Sequence, residues 1–574
     1  MTKFLRRSPS YVIGTLAAIF ALCLGSYVRL VELGEDPLVT DELIHHFVAE
    51  NMAAGSGAVL PSGASYTRGV EYSKAVQFAR EWIEDPELAA RLPSALLGVG
   101  GLFVIGGIGW WIGGPWVAAA AILMLGVYPS AVGEARRARF YTEQLLFLLV
   151  ALAGALRIMA EAGSNRLRQA GLLRKWQWPM LVLTSIALAS QIQITTVSIM
   201  PAAALIFLIA ATLDVRNWGW PVAMRKSAAL QLFAVGAACV LLVAIVFPAR
   251  LADAFVSALD VPVWASGGWD IRAYYWSLSE AFPLLVTLSP LVYLVVLVRN
   301  WRLGTVLLLW FAVPLAIHSV LPLQNPRYVI GAVPALFIAG SVAAVHGLGA
   351  LRESLAARIR VIEERPWRRW NHGIAGACVV LVAVFIMATS QSMQNALQIS
   401  IADHRRVYRG SHAGENWGEL ATRLEWTRQA HPLPVGTVDG LASLLYGGAV
   451  DFVIQQDDLD VSRHVESRRP GQEHLVSLPL DHPSLQGLAD YYSGRPVLTR
   501  SESIRKWFSN AEGVYIVIDE SRWHSENQID PWLKATLERE AYDLCEGRCG
   551  DLRLYRWLFD TPASSAKTRR PGGY

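Results

Sequence analysis

The sequence predicts a polytopic α-helical membrane protein with a C-terminal α/β domain outside the bilayer, and three observations lead there. Of 574 residues, 53% are hydrophobic and only 17% charged, where soluble domains carry about 25% charged residues. The apolar residues gather into long runs without charges, the length that crosses a hydrocarbon core. From Gln394 onward the composition turns polar and stays so. A net charge of +4 leaves no electrostatic footprint for a nucleic-acid partner. Five cysteines are too few for a disulfide framework.

In chain order, Lys3, Arg6 and Arg7 precede a first span over Tyr11–Val31. Positive residues stay in the cytoplasm, so this span leads outward. It is long and lacks a small-residue cleavage site, and is read as an anchor. An outer loop, 32–91, follows. Helices are expected in it over Asp41–Ala54, with Thr40 as N-cap, and over Tyr72–Ile83, both lying on the membrane surface. Further spans are expected at Pro93–Ile112, Pro115–Val132, from Tyr141 to Met159, at Trp178–Gln193, Ile194–Leu213, Ala228–Phe247, Leu278–Val298, Gly304–Leu321, Val329–Leu348 and Gly373–Met393. That makes about eleven spans, and it places every strongly basic loop but one inside. The exception is Glu134–Tyr141, with Arg136, Arg137 and Arg139, which parity puts outside. An anion held there would account for it.

The domain reading is therefore a transmembrane domain, 1–393, carrying the outer loop, and an extracytoplasmic α/β domain, 394–574. In the latter, strands are expected at Pro434–Val438, Asp451–Ile454 and Val514–Ile518. Helices are expected at Leu441–Tyr446, Ser501–Ser509 and Pro531–Arg539. Cys545 and Cys549 either pair across a short turn or stay free thiols. The tail after Thr561 has a disordered composition.

No P-loop, dinucleotide-binding glycine pattern, zinc motif or nucleophile elbow occurs in a suitable context. What stands out is acid in one outer loop, Thr40-Asp41-Glu42, and arginines in two others. Carboxylates just outside a membrane helix either face water or do chemistry; an Asp there can take a proton from an incoming hydroxyl. The bland reading makes Asp41 and Glu42 the first turn of a surface helix, Arg136 and Arg137 headgroup anchors, and Arg327 a snorkelling side chain.

Four segments tilt the balance: Thr40-Asp41-Glu42-Leu43; Ala89-Ala90-Arg91-Leu92-Pro93-Ser94-Ala95-Leu96-Leu97-Gly98; Glu134-Ala135-Arg136 with Arg139-Phe140-Tyr141; and Pro326-Arg327-Tyr328 followed by Pro334. In their order and placement they resemble the GT-C class of integral-membrane glycosyltransferases. The nearest branch is that of protein O-mannosyltransferases and the bacterial aminoarabinose transferase acting on lipid A. The resemblance covers roughly Tyr11 to Leu348.

It implies transfer of a sugar from a polyprenyl-phosphate donor to a protein, lipid or polysaccharide acceptor, with inversion. The transfer takes place on the extracytoplasmic side of a bacterial-type plasma membrane. It implies Asp41 as catalytic base with Glu42 as the second acid. Donor-phosphate contacts come from Arg136, Arg139, Tyr141, Arg327 and Tyr328, and substrate contacts from Tyr66, Arg68, Tyr72 and Lys74. The family's usual Glu-Lys-Pro-Pro run is absent, and Glu71-Tyr72-Ser73-Lys74 stands in its region. The Trp-Trp-Asp motif of oligosaccharyltransferases is also missing. Either no cofactor is needed, or a divalent cation is held by Asp41, Glu42 and His45 or His46. The competing classes are a polytopic lipid or polysaccharide transporter and a non-catalytic envelope assembly protein.

Overall fold

The computed structural model describes residues 9–246, 270–321, 324–360, 417–448, 450–454, 490, 492–498, 501–519, 523, 529–546 and 549–559. The expected span Gly373–Met393, most of the Trp- and Tyr-rich loop before Tyr275, and the tail after Thr561 lie outside them. The first helices are α1 (Pro9–Leu30), α2 (Thr40–Ala53), α3 (Val70–Arg80), α4 (Pro86–Gly113), α5 (Pro115–Val127), α6 (Pro129–Ala135) and α7 (Tyr141–Glu161). Among the described residues six helices are long and apolar enough to cross a membrane, and α5 with α6 forms one bent candidate span. The chain is a multi-pass membrane protein.

Two expected spans are broken, both at prolines. The third is bent by 66° between α5 and α6, where Pro129 has no N–H to bond the Leu125 carbonyl four residues back. The eighth is split into Ala273–Ala281, Pro283–Thr287 and Ser289–Arg299, with Pro283 and Pro290 opening the second and third pieces.

The chain divides into two compact units. The first holds residues up to Glu32 and, among those described, 94–246 and 270–360. Here α1 packs along α5 through small residues: a Cβ on Gly25 would sit 3.1 Å from the Gly126 Cα. Close backbone approach is how membrane helices gain packing where lipid removes the hydrophobic drive. Arg29, 1% exposed, donates to the carbonyls of Gly126 (2.9 Å) and Leu125 (3.0 Å). It thereby satisfies the backbone that Pro129 leaves open, which hydrocarbon cannot do.

The second unit holds 33–93 and the described residues from Trp417 on. Its sheet runs β2 (Phe452–Val453), β1 (Val435–Thr437), β3 (Gly513–Asp519), β5 (Leu552–Leu558), β4 (Ala541–Asp543). β1 is parallel to β2 and β3, and β5 is antiparallel to β3 and β4. All seven residues of β3 are buried, as a central strand's should be. Ile516 and Ile518 share a core with Leu533, Leu537 and Trp557. Helices occupy Trp417–Ala430, Gly440–Tyr446, Ser501–Trp507 and Pro531–Glu540. Cys545 and Cys549 are disulfide-bonded.

One local expectation is corrected. The N-cap of α2 is Val39, not Thr40, and the Glu42 carboxylate accepts from the Val39 N–H at 3.0 Å. A carboxylate three residues in takes over the satisfaction of the orphan amide. Much of α2 is buried, through Leu43, Ile44, His45, His46, Val48 and Ala49, while Asp41 and Glu50 are exposed.

Candidate active site: a carboxylate helix and an arginine cluster

In the second unit, α2 presents Asp41 to solvent and turns Glu42 inward, because neighbours on a helix point about 100° apart. Glu42, 1% exposed at its side chain, forms a bidentate pair with Arg91, with Nε–Oε1 at 2.8 Å and Nη2–Oε2 at 2.9 Å. Arg91 also donates to the carbonyls of Leu33 (3.2 Å), Asp36 (2.6 Å) and Pro37 (2.8 Å). One guanidinium thus ties down the segment leading to Asp41 and the helix that carries it. Arg91→Ala is expected to destabilise this unit by about 3–5 kcal/mol, because Glu42 is left buried and unpaired. A fall in melting temperature, with no rescue by lysine, checks it.

His45 bonds Ser73 Oγ through Nδ1 at 2.9 Å and meets the rings of Tyr66 and Tyr72 edge-on. The Tyr72 hydroxyl donates to the Ala90 carbonyl at 2.7 Å. Lys74 pairs with Glu71 on the exposed face of α3 at 2.7 Å, and Arg68 is exposed. Of the four expected substrate contacts, Tyr66 and Arg68 border His45, whereas Tyr72 and Lys74 have their polar groups engaged within the unit. Burial, then the Arg68 charge, pushes the His45 pKa down to about 3. Burial, then Arg80, pushes His46 down to about 4.

The unfolded chain takes up these protons near pH 6.5 and the folded one only near 3–4. Stability is therefore full above pH 6.5 and falls as the pH drops, by about 1.4 kcal/mol per unit for each histidine. Thermal melts should come earlier at pH 5 than at pH 7, and His45→Gln should flatten that dependence.

Among the described residues no three His, Cys, Asp or Glu side chains gather as a metal-ligand group. Within the expected set, both Glu42 oxygens face Arg91. His46 is buried near the Arg80 charge, a poor neighbour for a cation. These four residues do not fit a shared metal, and no step below is routed through one.

In the first unit, the loop before α7 and the 3-10 turn Pro326–Val329 carry the cations. The Arg327 guanidinium lies over the rings of Tyr141 (5.2 Å) and Tyr328 (5.6 Å). Its Nε is buried with no hydrogen-bond partner among the described residues. Burial works against the Arg327 charge, but Tyr141, Tyr328 and Glu134 outweigh it and hold its pKa above the ordinary arginine value. Arg139 is pushed down to about 10, by burial first and by the Arg327 charge second.

The backbone is pinned around both. Ser94 Oγ donates to the Arg139 carbonyl at 2.6 Å. The Asn325 side chain accepts from the Arg327 N–H at 3.2 Å, and the Tyr274 hydroxyl from the Asn325 N–H at 3.2 Å. At Gly331, just after this turn, an added Cβ would meet the Leu148 side chain of α7 and require it to shift. Arg136 stands apart from the cluster: its Nη1 donates to the carbonyls of Val28 (3.0 Å) and Val31 (2.7 Å), closing the end of α1.

The ArnT protein of Cupriavidus metallidurans, bound to undecaprenyl phosphate, matches this structure with a TM-score of 0.53. Identity is 14% over 95% of this chain and 99% of that one. The archaeal oligosaccharyltransferase AglB from Archaeoglobus fulgidus, with an inhibitory peptide and a dolichol-phosphate, matches at 0.53 and 12% identity, over 96% of this chain and 75% of that one. The apo form of the Archaeoglobus fulgidus oligosaccharyltransferase gives 0.54 at 11% identity, over 89% and 70%.

The chain has the GT-C fold. No protein-family model matches the sequence, and neither does any curated protein. Within the GT-C fold, residues outside the expected set pin its members: Arg91 holds Glu42, Ser94 holds Arg139 and Asn325 holds Arg327. For Arg91 and Ser94 the signal was present, since both lie in the quoted segment Ala89–Gly98.

Proposed function

We propose that this protein transfers a sugar from a polyprenyl-phosphate donor to an acceptor on the extracytoplasmic face of the plasma membrane, inverting the anomeric centre. The observation that carries the reading is the tyrosine-flanked pair Arg139 and Arg327. Arg139 and Arg327 bring positive charge together beside the Tyr141 and Tyr328 rings, and positive charge placed in advance is what stabilises a leaving phosphate. An arginine fork suits a phosphate. The undecaprenyl phosphate on ArnT and the dolichol-phosphate on AglB support a polyprenyl phosphate as that anion.

Each residue then has its role in the chemistry. Asp41 accepts the proton of the acceptor hydroxyl as its oxygen attacks the anomeric carbon. The bond from that carbon to the phosphate oxygen breaks. The charge left on the polyprenyl phosphate is taken by Arg139 and Arg327 with the Tyr328 and Tyr141 rings around them. Protonated Asp41 returns its proton to water. Glu42 acts through position, holding α2 by Arg91. Tyr66 and Arg68 are assigned to the sugar or acceptor. The family's preassembled-oligosaccharide motif is missing, which favours a single sugar. The C-terminal α/β part is assigned to holding the acceptor.

The test is a panel of polyprenyl-phosphate sugars given to the purified chain with envelope acceptors. Release of polyprenyl phosphate that depends on the acceptor is expected for one of them. Donors bound but returned intact throughout would contradict the reading.

A further inference from the structure

Within the second unit, the segment before Asp41 is held from two sides. Arg91 takes its carbonyls, as described. One of its amides is held from far along the chain. The Leu38 N–H donates to the Tyr446 hydroxyl at 2.6 Å, and that hydroxyl donates to Glu87 Oε1 at 2.7 Å. Tyr446 ends the helix Gly440–Tyr446, and its ring stacks on Trp417, with centroids 5.6 Å apart and planes at 28°. The phenol oxygen therefore uses both its acceptor and its donor capacity on groups fixed by the 33–93 segment.

Leu38 is 1% exposed and lies three residues before Asp41. A buried amide without an acceptor is costly, so the chain keeps this course only while Tyr446 supplies the oxygen. Burial and the Glu87 charge beside it both raise the Tyr446 pKa, and Glu87 also accepts its hydrogen bond. The hydroxyl stays protonated and stays a donor.

We infer that Tyr446 is a positioning residue for Asp41: by bonding the Leu38 amide and Glu87 it makes the C-terminal α/β part a brace for the approach to the catalytic carboxylate. This rests on Asp41 acting as proposed above. It gives the C-terminal part a role in turnover that is separate from any contact with the acceptor.

The experiment uses the full chain in lipid nanodiscs. Tyr446→Phe keeps the ring and its stack on Trp417 and removes the oxygen. Expected is a fall in kcat of between about tenfold and a hundredfold, the scale of an ångström-sized misplacement. KM for the polyprenyl-phosphate sugar should stay within about twofold. Amide hydrogen exchange in a peptide covering residues 33–42 should speed up. Glu87→Ala should share the loss, and Glu87→Gln, which still offers an oxygen to the phenol, should recover most of it.

A lower melting temperature with unchanged kcat per folded molecule would overturn the inference, as would a rise in KM alone or unchanged exchange over 33–42. Should Tyr446→Phe fail to fold, the Glu87 pair decides: equal kcat in Glu87→Ala and Glu87→Gln overturns it. Asp41→Asn measured alongside separates the two readings. An active Asp41→Asn removes the proposed base, whereas an inactive one beside an unimpaired Tyr446→Phe removes only the brace.

Discussion

Asp41→Asn is expected to lose between about 10² and 10⁴ in transfer rate while keeping its donor affinity, the range for removing a general base. Asparagine preserves the shape of the side chain and one acceptor oxygen, so the helix has no reason to move. The carboxylate is exposed at the second residue of α2, on a helix fixed by the Glu42–Arg91 pair. The neighbouring acid cannot substitute for it, since both Glu42 oxygens are engaged by Arg91 and the Val39 N–H. Glu42→Gln should show the opposite pattern, with lower stability and near-normal turnover per folded molecule. Purified variants assayed with a defined donor, with the folded fraction measured in the same samples, separate the two.

Arg327→Ala and Arg139→Ala are each expected to weaken binding of polyprenyl phosphate by roughly tenfold to a hundredfold, the worth of a charge-assisted hydrogen bond out of water. Lysine should not restore it, because a point charge does not reproduce the fork. Arg139 is held down by burial and by the Arg327 charge, whereas Tyr141, Tyr328 and Glu134 favour the Arg327 charge. In both variants the affinity per folded molecule should fall, whatever the change in melting temperature. A headgroup anchor would give lower stability with unchanged affinity. Isothermal titration with polyprenyl phosphate and a thermal melt on the same preparation check both.

Much of the membrane part was legible in the sequence because hydropathy sums along the chain, and α1, α4, α7 and Trp301–Val320 fall on the expected spans. Hydropathy is blind to a missing N–H, so the breaks at Pro129 and Pro283 were run through as continuous spans. In the C-terminal part the apolar runs at Val435–Thr437 and Gly513–Asp519 announced buried strands. β5 is masked in the sequence because Arg553 and Arg556 interrupt it: Leu552 and Leu554 are buried on one face and Tyr555 and Trp557 on the other, so no clean period-2 alternation shows.

The site was legible as a set of charges and illegible as a set of partners. The string does not show that Arg136 closes the end of α1 while Arg139 lies near Arg327. The difference is which carbonyls lie within reach. Tyr446 could not have been found at all, since its two partners are 408 and 359 residues away.

Sugar transfer from a polyprenyl phosphate with inversion can be followed with a labelled sugar on a polyprenyl-phosphate donor through one turnover of the purified chain. Label is expected to leave the lipid and appear on the acceptor with the opposite anomeric configuration, with one polyprenyl phosphate formed for each sugar moved. Label that crosses a bilayer still attached to its lipid, or that arrives on the acceptor with its configuration retained, would contradict inverting transfer.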